Sequence, residues 1–231
     1  MSGVRNADMR SGVRWGGLLS AVAWAMLAAG CSEDPARKIE SADQGARLEG
    51  LQDLAAANTE QSFAAAARAI AHDDVMTARA AVRAVARMAR RGAAEVLAKV
   101  VAEDGRPEVR EEAALALSYC PQEKSAQVLR EVVKKDVAPQ VRAAAAVGLG
   151  RVGRLSDVEL LLGVSDLDAD PLVQYQAVGS LEKILGIGFT FEPNLPEDRR
   201  RVTLERIRSA ATIRANVLRS RTVAQATGDA P

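Results

Sequence analysis

One period constrains this chain more than any other feature. Ala46-Arg47, Ala78-Arg79, Val109-Arg110, Val141-Arg142 and Val173-Gln174 fall into line, with the Arg or Gln positions 32, 31, 32 and 32 residues apart. After each comes an alanine-rich amphipathic stretch, and after a break a second apolar stretch such as AEVLAKVVA or AQVLREVVK. The breaks hold Asn58, Gly92, Pro121 and Gly153, residues that stop helices or start turns. Apolar spacing is helical in both stretches, as in Ala113, Leu117 and Cys120, or Val128, Leu129, Val132 and Val133. Each unit therefore reads as two short helices that cannot bury their apolar faces alone, and stacking on neighbours solves that. Alanine suits the first helix of each pair, having the best helix propensity and a side chain small enough for close helix approach.

A second row supports the register. Asp73, Asp104, Asp136 and Asp168 lie six residues before Arg79, Arg110, Arg142 and Gln174. An Asp before a helix can cap it and favours its positive end, and the following Arg can pair with the Asp of its own or an adjacent unit. The expectation is a structural Asp–Arg ladder. The first unit has Ser41 in place of the Asp and the last has Gln174 in place of the Arg, as terminal repeats are expected to be atypical.

The segments PEVREEAALALSYC at 107–120, APQVRAAAAVGLGRVG at 138–153 and DPLVQYQAVGSLEKILG at 170–186 resemble the HEAT-repeat family, in its short bacterial, phycobilisome-lyase-like form. The resemblance implies an all-α fold: a right-handed α-solenoid of about five two-helix repeats over residues 44–187, with a C-terminal capping helix. It implies use in binding, although fold alone does not give function.

The first thirty residues read as an address. Arg5, Arg10 and Arg14 precede the uncharged run WGGLLSAVAWAMLAAG at 15–30, which is a basic region followed by the apolar core of a signal peptide. The run is shorter than the ~20 residues of a permanent span. Leu27-Ala28-Ala29-Gly30-Cys31 resembles a bacterial lipobox, with Ala28 where Leu is commoner. This implies acylation of Cys31 and a bacterial cell-envelope location. Ser32, not Asp, follows the Cys, which favours the outer membrane facing the periplasm. Cleavage at 31 removes three basic residues and one acid, so 31 − 3 = 28 basic and 30 − 1 = 29 acidic residues remain. A near-neutral exported chain is a poor nucleic-acid ligand. Residues 31–43, CSEDPARKIESAD, read as a polar tether.

Residues 188–221 read as a loop and a basic capping helix. Phe189 and Phe191 are expected to fold back on the last repeat. Leu204, Ile207, Ala211 and Leu218 share about 60° of the helix arc, and eight arginines lie between Arg199 and Arg221. Arg199, Arg200, Arg201 and Arg208 are candidates for an anionic membrane surface. The tail at 222–231 is expected to be disordered.

Chemistry is sparse. Aromatics are 3% of the chain, with one His and two Cys, which argues against an aromatic-lined cofactor pocket and a structural zinc site with its four ligands. The motifs HExxH, GxSxG, GxxxxGK[ST] and CxxC are missing. Gly148-Leu149-Gly150 lies within a helix, so it reads as no phosphate loop. His72 is expected to serve the last carbonyls of its helix, and Cys120 to be a small buried hydrophobe. Asp157, Asp166, Asp168 and Asp170 lack the spacing of a calcium loop and read as solvated loop acids. No metal, cofactor or small-molecule substrate is expected.

The leading expectation is a non-enzymatic, lipid-anchored scaffold that binds another cell-envelope protein on a concave surface lined by second helices. Glu95, Lys99, Glu103, Gln127, Glu131, Lys134 and Glu159 are its candidate contacts. The alternatives are an anionic-lipid or lipopolysaccharide binder using the Arg-rich helix, and a lyase-like enzyme.

Overall fold

The computed structural model describes residues 34–120, 123–192 and 196–227. Cys31 and the apolar run at 15–30 lie outside these residues, as does Pro121. Among the described residues, eleven α-helices follow one another without a strand: α1 (Pro35–Lys38), α2 (Gln44–Ala57), α3 (Glu60–Ala69), α4 (Val75–Met88), α5 (Ala93–Glu103), α6 (Pro107–Leu117), α7 (Glu123–Lys135), α8 (Pro139–Val152), α9 (Val158–Leu167), α10 (Pro171–Leu185) and α11 (Glu197–Thr227). The fold is an α-solenoid. First helices α2, α4, α6, α8 and α10 alternate with second helices α3, α5, α7 and α9. The long α11 packs on α9 and α10 and so takes the fifth second-helix position.

One continuous core runs through the stack. Leu51, Val82, Leu97, Leu117, Leu129, Leu149, Leu161, Leu181 and Ile207 are fully buried in it. The two layers differ in spacing. First helices pack directly on one another, whereas successive second helices touch sparsely. Small residues permit the first arrangement. Ser180 of α10 donates its hydroxyl to the Ala146 carbonyl of α8 at 2.7 Å. A Cβ on Gly150 would sit 2.8 Å from that same hydroxyl, and one on Gly148 would sit 2.9 Å from a Leu129 methyl. These two glycines are thus close-approach positions within α8. In a curved stack the closer-spaced layer lies on the inside. The first helices therefore line the inner face, and the second helices, expected on the concave side, form the outer one.

Helix ends follow from local chemistry. Asp43, Asp74 and Asp170 cap α2, α4 and α10 through their carboxylates. Pro107, Pro139 and Pro171 occupy first helical positions, where the missing N–H costs nothing. Asn58 and Ala89 end α2 and α4 in the left-handed conformation, at φ 46° and 47°.

Both ends of the array depart from the expected boundaries. Within the expected tether, α1 docks on α2. Ile39 is buried, and Lys38 pairs with Glu49 at 2.8 Å and Asp53 at 3.0 Å. Gly50 makes room for this, since a Cβ there would lie 2.7 Å from the Lys38 Cβ. At the other end, Phe191 is buried and Phe189 packs on the core. Leu204 and Ile207 of α11 are buried, but Leu218 is 43% exposed. The helix runs past the last repeat and continues through 222–227, which were expected to be disordered; neither Gly nor Pro interrupts it between Pro196 and Gly228.

Candidate functional site

The charged ladder exists, with a register set by helix caps rather than by matching letters. Arg110 donates to the Asp104 carbonyl at 3.0 Å and, in fork geometry, to both oxygens of Asp136 at 2.9 Å. Arg142 repeats this with the Asp136 carbonyl at 2.9 Å and both oxygens of Asp168 at 2.8 Å. Each Arg thus ties its own preceding loop to the next one. The same Asp side chains accept backbone N–H groups two residues on, at Ala138 and Asp170, which rigidifies the loops as Asx-turns. Burial alone would raise the Asp136 and Asp168 pKa values, but the guanidinium and amide donors outweigh it and hold both below the ordinary carboxylate value.

The helix caps are Asp43, Asp74, Arg106, Ala138 and Asp170, spaced 31, 32, 32 and 32 residues apart. Ladder residues stand four beyond each cap: Arg47, Ala78, Arg110, Arg142 and Gln174. Arg79 is one residue, or about 100° of helix turn, out of place. It pairs with Glu112 at 3.0 Å instead of with Asp104. Arg106 fills the gap: it holds the Asp104 carboxylate at 2.7 Å and donates to the carbonyls of His72 at 2.6 Å and Ile70 at 2.9 Å. The loop position of Asp104 is taken one unit earlier by His72, not Asp73. The His72 Nδ1 accepts the Asp74 N–H at 2.9 Å, so His72 acts as a loop acceptor rather than a donor to the last carbonyls of α3. At the top, Arg47 bonds Asp74, Thr77 and the Ser41 carbonyl, each at 2.9 Å.

Three of the expected solvated acids are structural. Asp157 is buried and receives Arg130 at 2.6 Å, and Asp168 is the ladder acid described above. Asp170 caps α10. Cys120 is buried and unpaired; burial pushes its thiol pKa up, which disfavours the nucleophilic thiolate. Among the described residues no three His, Cys, Asp or Glu side chains converge as metal ligands, and no helix is long and apolar enough to cross a membrane.

The expected partner residues lie on the outer, second-helix face. Gln127 and Glu131 line a shallow groove of about 450 Å³ between α5 and α7. Lys99 and Glu103 line another of about 510 Å³ between α3 and α5. Several of these side chains are engaged with near neighbours. Glu131 pairs with Lys134 and Lys135, Lys99 with Glu103, and Glu95 with Lys124. Glu159 pairs with Arg208 of α11 at 3.7 Å, beside the cap and apart from the others.

The four arginines expected at a membrane surface do not act together. Arg199 and Arg201 are exposed. Arg200 is half-buried and donates to the Gln174 side chain at 3.4 Å, so the cap helix completes the last rung. Arg208 bridges Glu159 and Glu205.

Sequence reasoning missed the inner face. Arg79, Arg83 and Arg87 recur every four residues on α4, a spacing that was legible in RAAVRAVAR. Arg83 and Arg87 border a groove of about 630 Å³ between α4 and α6, with Glu112, Ala116, Tyr119 and Arg151 around it. Arg83 donates to Glu112 at 2.7 Å. The Arg151 guanidinium carbon of α8 lies over the exposed Tyr119 ring, 4.6 Å from its centroid. Arg87 is exposed, and its side chain makes no hydrogen bond or ion pair among the described residues.

Comparison with known proteins agrees with this architecture. Residues 94–182, less than half the chain, match the family of HEAT repeats. A chain from the complex of CpcE and CpcF of phycocyanin lyase from Nostoc sp. PCC7120 has a similar fold. The TM-score is 0.51 at 19% identity, over 65% of this chain and 63% of that one, so the match spans less than two thirds of the neighbour. An engineered protein gives a TM-score of 0.44 at 21% identity, over 65% of this chain and 78% of that one. No curated protein matches the sequence.

Proposed function

We propose that this HEAT-like solenoid is a non-enzymatic scaffold, anchored to the bacterial outer membrane through acylated Cys31, that binds another cell-envelope protein. The observation that carries the reading is the way the stack uses its charges. The deeply placed ones, at Arg110, Asp136, Arg142, Asp168, Arg130 and Asp157, are paired with one another across repeats. Both long faces stay open, grooved and polar-rimmed, as suits a repeat protein whose partner lies along the array. The lyase activity named for the similar structure belongs to that protein, since at 19% identity the likeness carries the fold alone. The test is photo-crosslinking in intact cells from probes placed on each face, followed by capture of the full-length protein and mass spectrometry. One reproducible envelope protein is the expected result. Recovery of lipid-associated background alone would remove the scaffold reading.

A second reading has one observation in its favour. Beyond the last repeat, α11 exposes Ile213, Val217 and Leu218 among Arg214, Arg219 and Arg221, a composition suited to an anionic lipid surface. A non-acylated form would then bind phosphatidylglycerol vesicles at low salt and be released as salt rises. No binding at low salt would remove it.

A further inference from the structure

We propose that the inner-face groove across α4, α6 and α8 takes an extended acidic segment of a partner protein. The inference rests on the scaffold reading and deepens it. Three guanidinium groups, from Arg83, Arg87 and Arg151, face one carboxylate, Glu112, around this recess. The imbalance is positive, and Arg87 has no counter-charge among the described residues. The geometry favours carboxylates on an extended chain. Arg83 and Arg87 are one turn apart, about 6 Å along the helix axis. Alternate residues of an extended segment put side chains on one face about 6.6 Å apart, so a Glu-x-Glu spacing meets both forks. The Tyr119 ring beneath it steadies the Arg151 guanidinium, whose N–H groups can meet a third acid. Alanines at 86, 89 and 116 in the groove let a peptide backbone come close. A bilayer surface fits less well, because it is flat on this scale and meets the helix ridges before the recess. The Glu112 carboxylate also repels the second charge of a phosphate.

The test uses the full-length protein and a fluorescent Glu-Ala-Glu-Ala-Glu peptide, with Gln-Ala-Gln-Ala-Gln as the neutral control. Fluorescence anisotropy should show saturable binding of the acidic peptide that weakens as salt rises. Arg87→Ala and Arg151→Ala should each weaken it about five- to tenfold with thermal melts unchanged, as both side chains are exposed. The double substitution Arg199→Ala and Arg201→Ala, which removes two charges elsewhere against one in each groove variant, should leave binding intact. Three results would overturn the assignment: equal binding of the neutral peptide, equal loss in the Arg199 and Arg201 control, or no peptide binding with groove-dependent binding to phosphatidylglycerol vesicles. Partner capture in cells through crosslinks on the outer face, with no peptide binding here, would overturn the groove and leave the scaffold reading standing.

Discussion

The third and fourth repeats and the second repeat reach the same loop geometry by different means. In the regular pair, one arginine on the first helix joins two loops, and Arg110 and Arg142 make matching contacts with Asp136 and Asp168. In the second repeat the ladder position is Ala78, fully buried. Arg106 reaches back from the next helix cap to hold Asp104 and the end of α3. The same loop can be tied from either side, and what must be supplied is donors for carbonyls and carboxylates that burial has removed from water. Identity of letters at a fixed spacing is therefore weaker guidance than position relative to a cap. Arg79 looks like a ladder residue in the sequence and is not one.

The largest effects should separate these two solutions. Arg110→Ala leaves Asp136 nearly buried without its fork and removes a bond to the Asp104 carbonyl. It should cost about 3 kcal/mol in urea unfolding. Arg106→Ala should cost less, about 2 kcal/mol, because its pair with Asp104 is more open to water, with 26% and 13% side-chain exposure. If both substitutions cost the same as Arg79→Ala, the ladder is not what holds the loops.

Acid should probe the carboxylate half of the ladder. Asp104, Asp136 and Asp168 all have lowered pKa values in the folded chain. A lowered folded value means stability that is present above the ordinary carboxylate pKa of 3.8 and lost as pH falls through the folded values below it. Unfolding free energy should thus be flat between about pH 5 and 7 and drop below about pH 4. In the double variant Asp136→Asn and Asp168→Asn the neutral-pH value should be lower and the acid limb shallower. An acid limb as steep as the wild type's would place the titrating groups elsewhere.

Irregularity in the second repeat extends to its helix end. Asn58 and Ala89 both close a first helix in the left-handed region. Asn tolerates that region, whereas Ala sets its Cβ against the carbonyl. Ala89→Gly should therefore raise stability by about 1 kcal/mol, and a lowered melting temperature would contradict the reading. The same substitution at Ala116, which is buried within the helical α6, is a control that should destabilise.

Much of the fold was legible because period, breaks and small residues act locally and repeat. Helix pairing, the ladder and the burial of Cys120 and Phe191 follow from such patterns. Three things were not legible. The face of the curve depends on how closely helices approach, and the Gly148 and Gly150 contacts that set it on α8 are made with other helices. The role of Asp157 depends on Arg130, 27 residues away on another helix. The inner groove joins Arg87, Tyr119 and Arg151 from three repeats, and only the four-residue spacing on α4 hinted at it.

The smallest expected effect is the one that most sharpens the contrast. Arg79→Ala removes an arginine that the period aligns with Arg110 and Arg142. Among the described residues its ion pair is with Glu112 alone, which Arg83 also holds at 2.7 Å. The Arg79 side chain is 32% exposed, so solvent screens the pair. Among the described residues no loop carbonyl accepts from it, and Glu112 keeps Arg83 as a partner when it is gone. The cost should therefore be below about 0.5 kcal/mol, against about 3 kcal/mol for Arg110→Ala. A large loss at Arg79 would mean that the second repeat does carry a ladder rung, made through Glu112 rather than Asp104. The cap-based register would then have to give way to the one written in the letters.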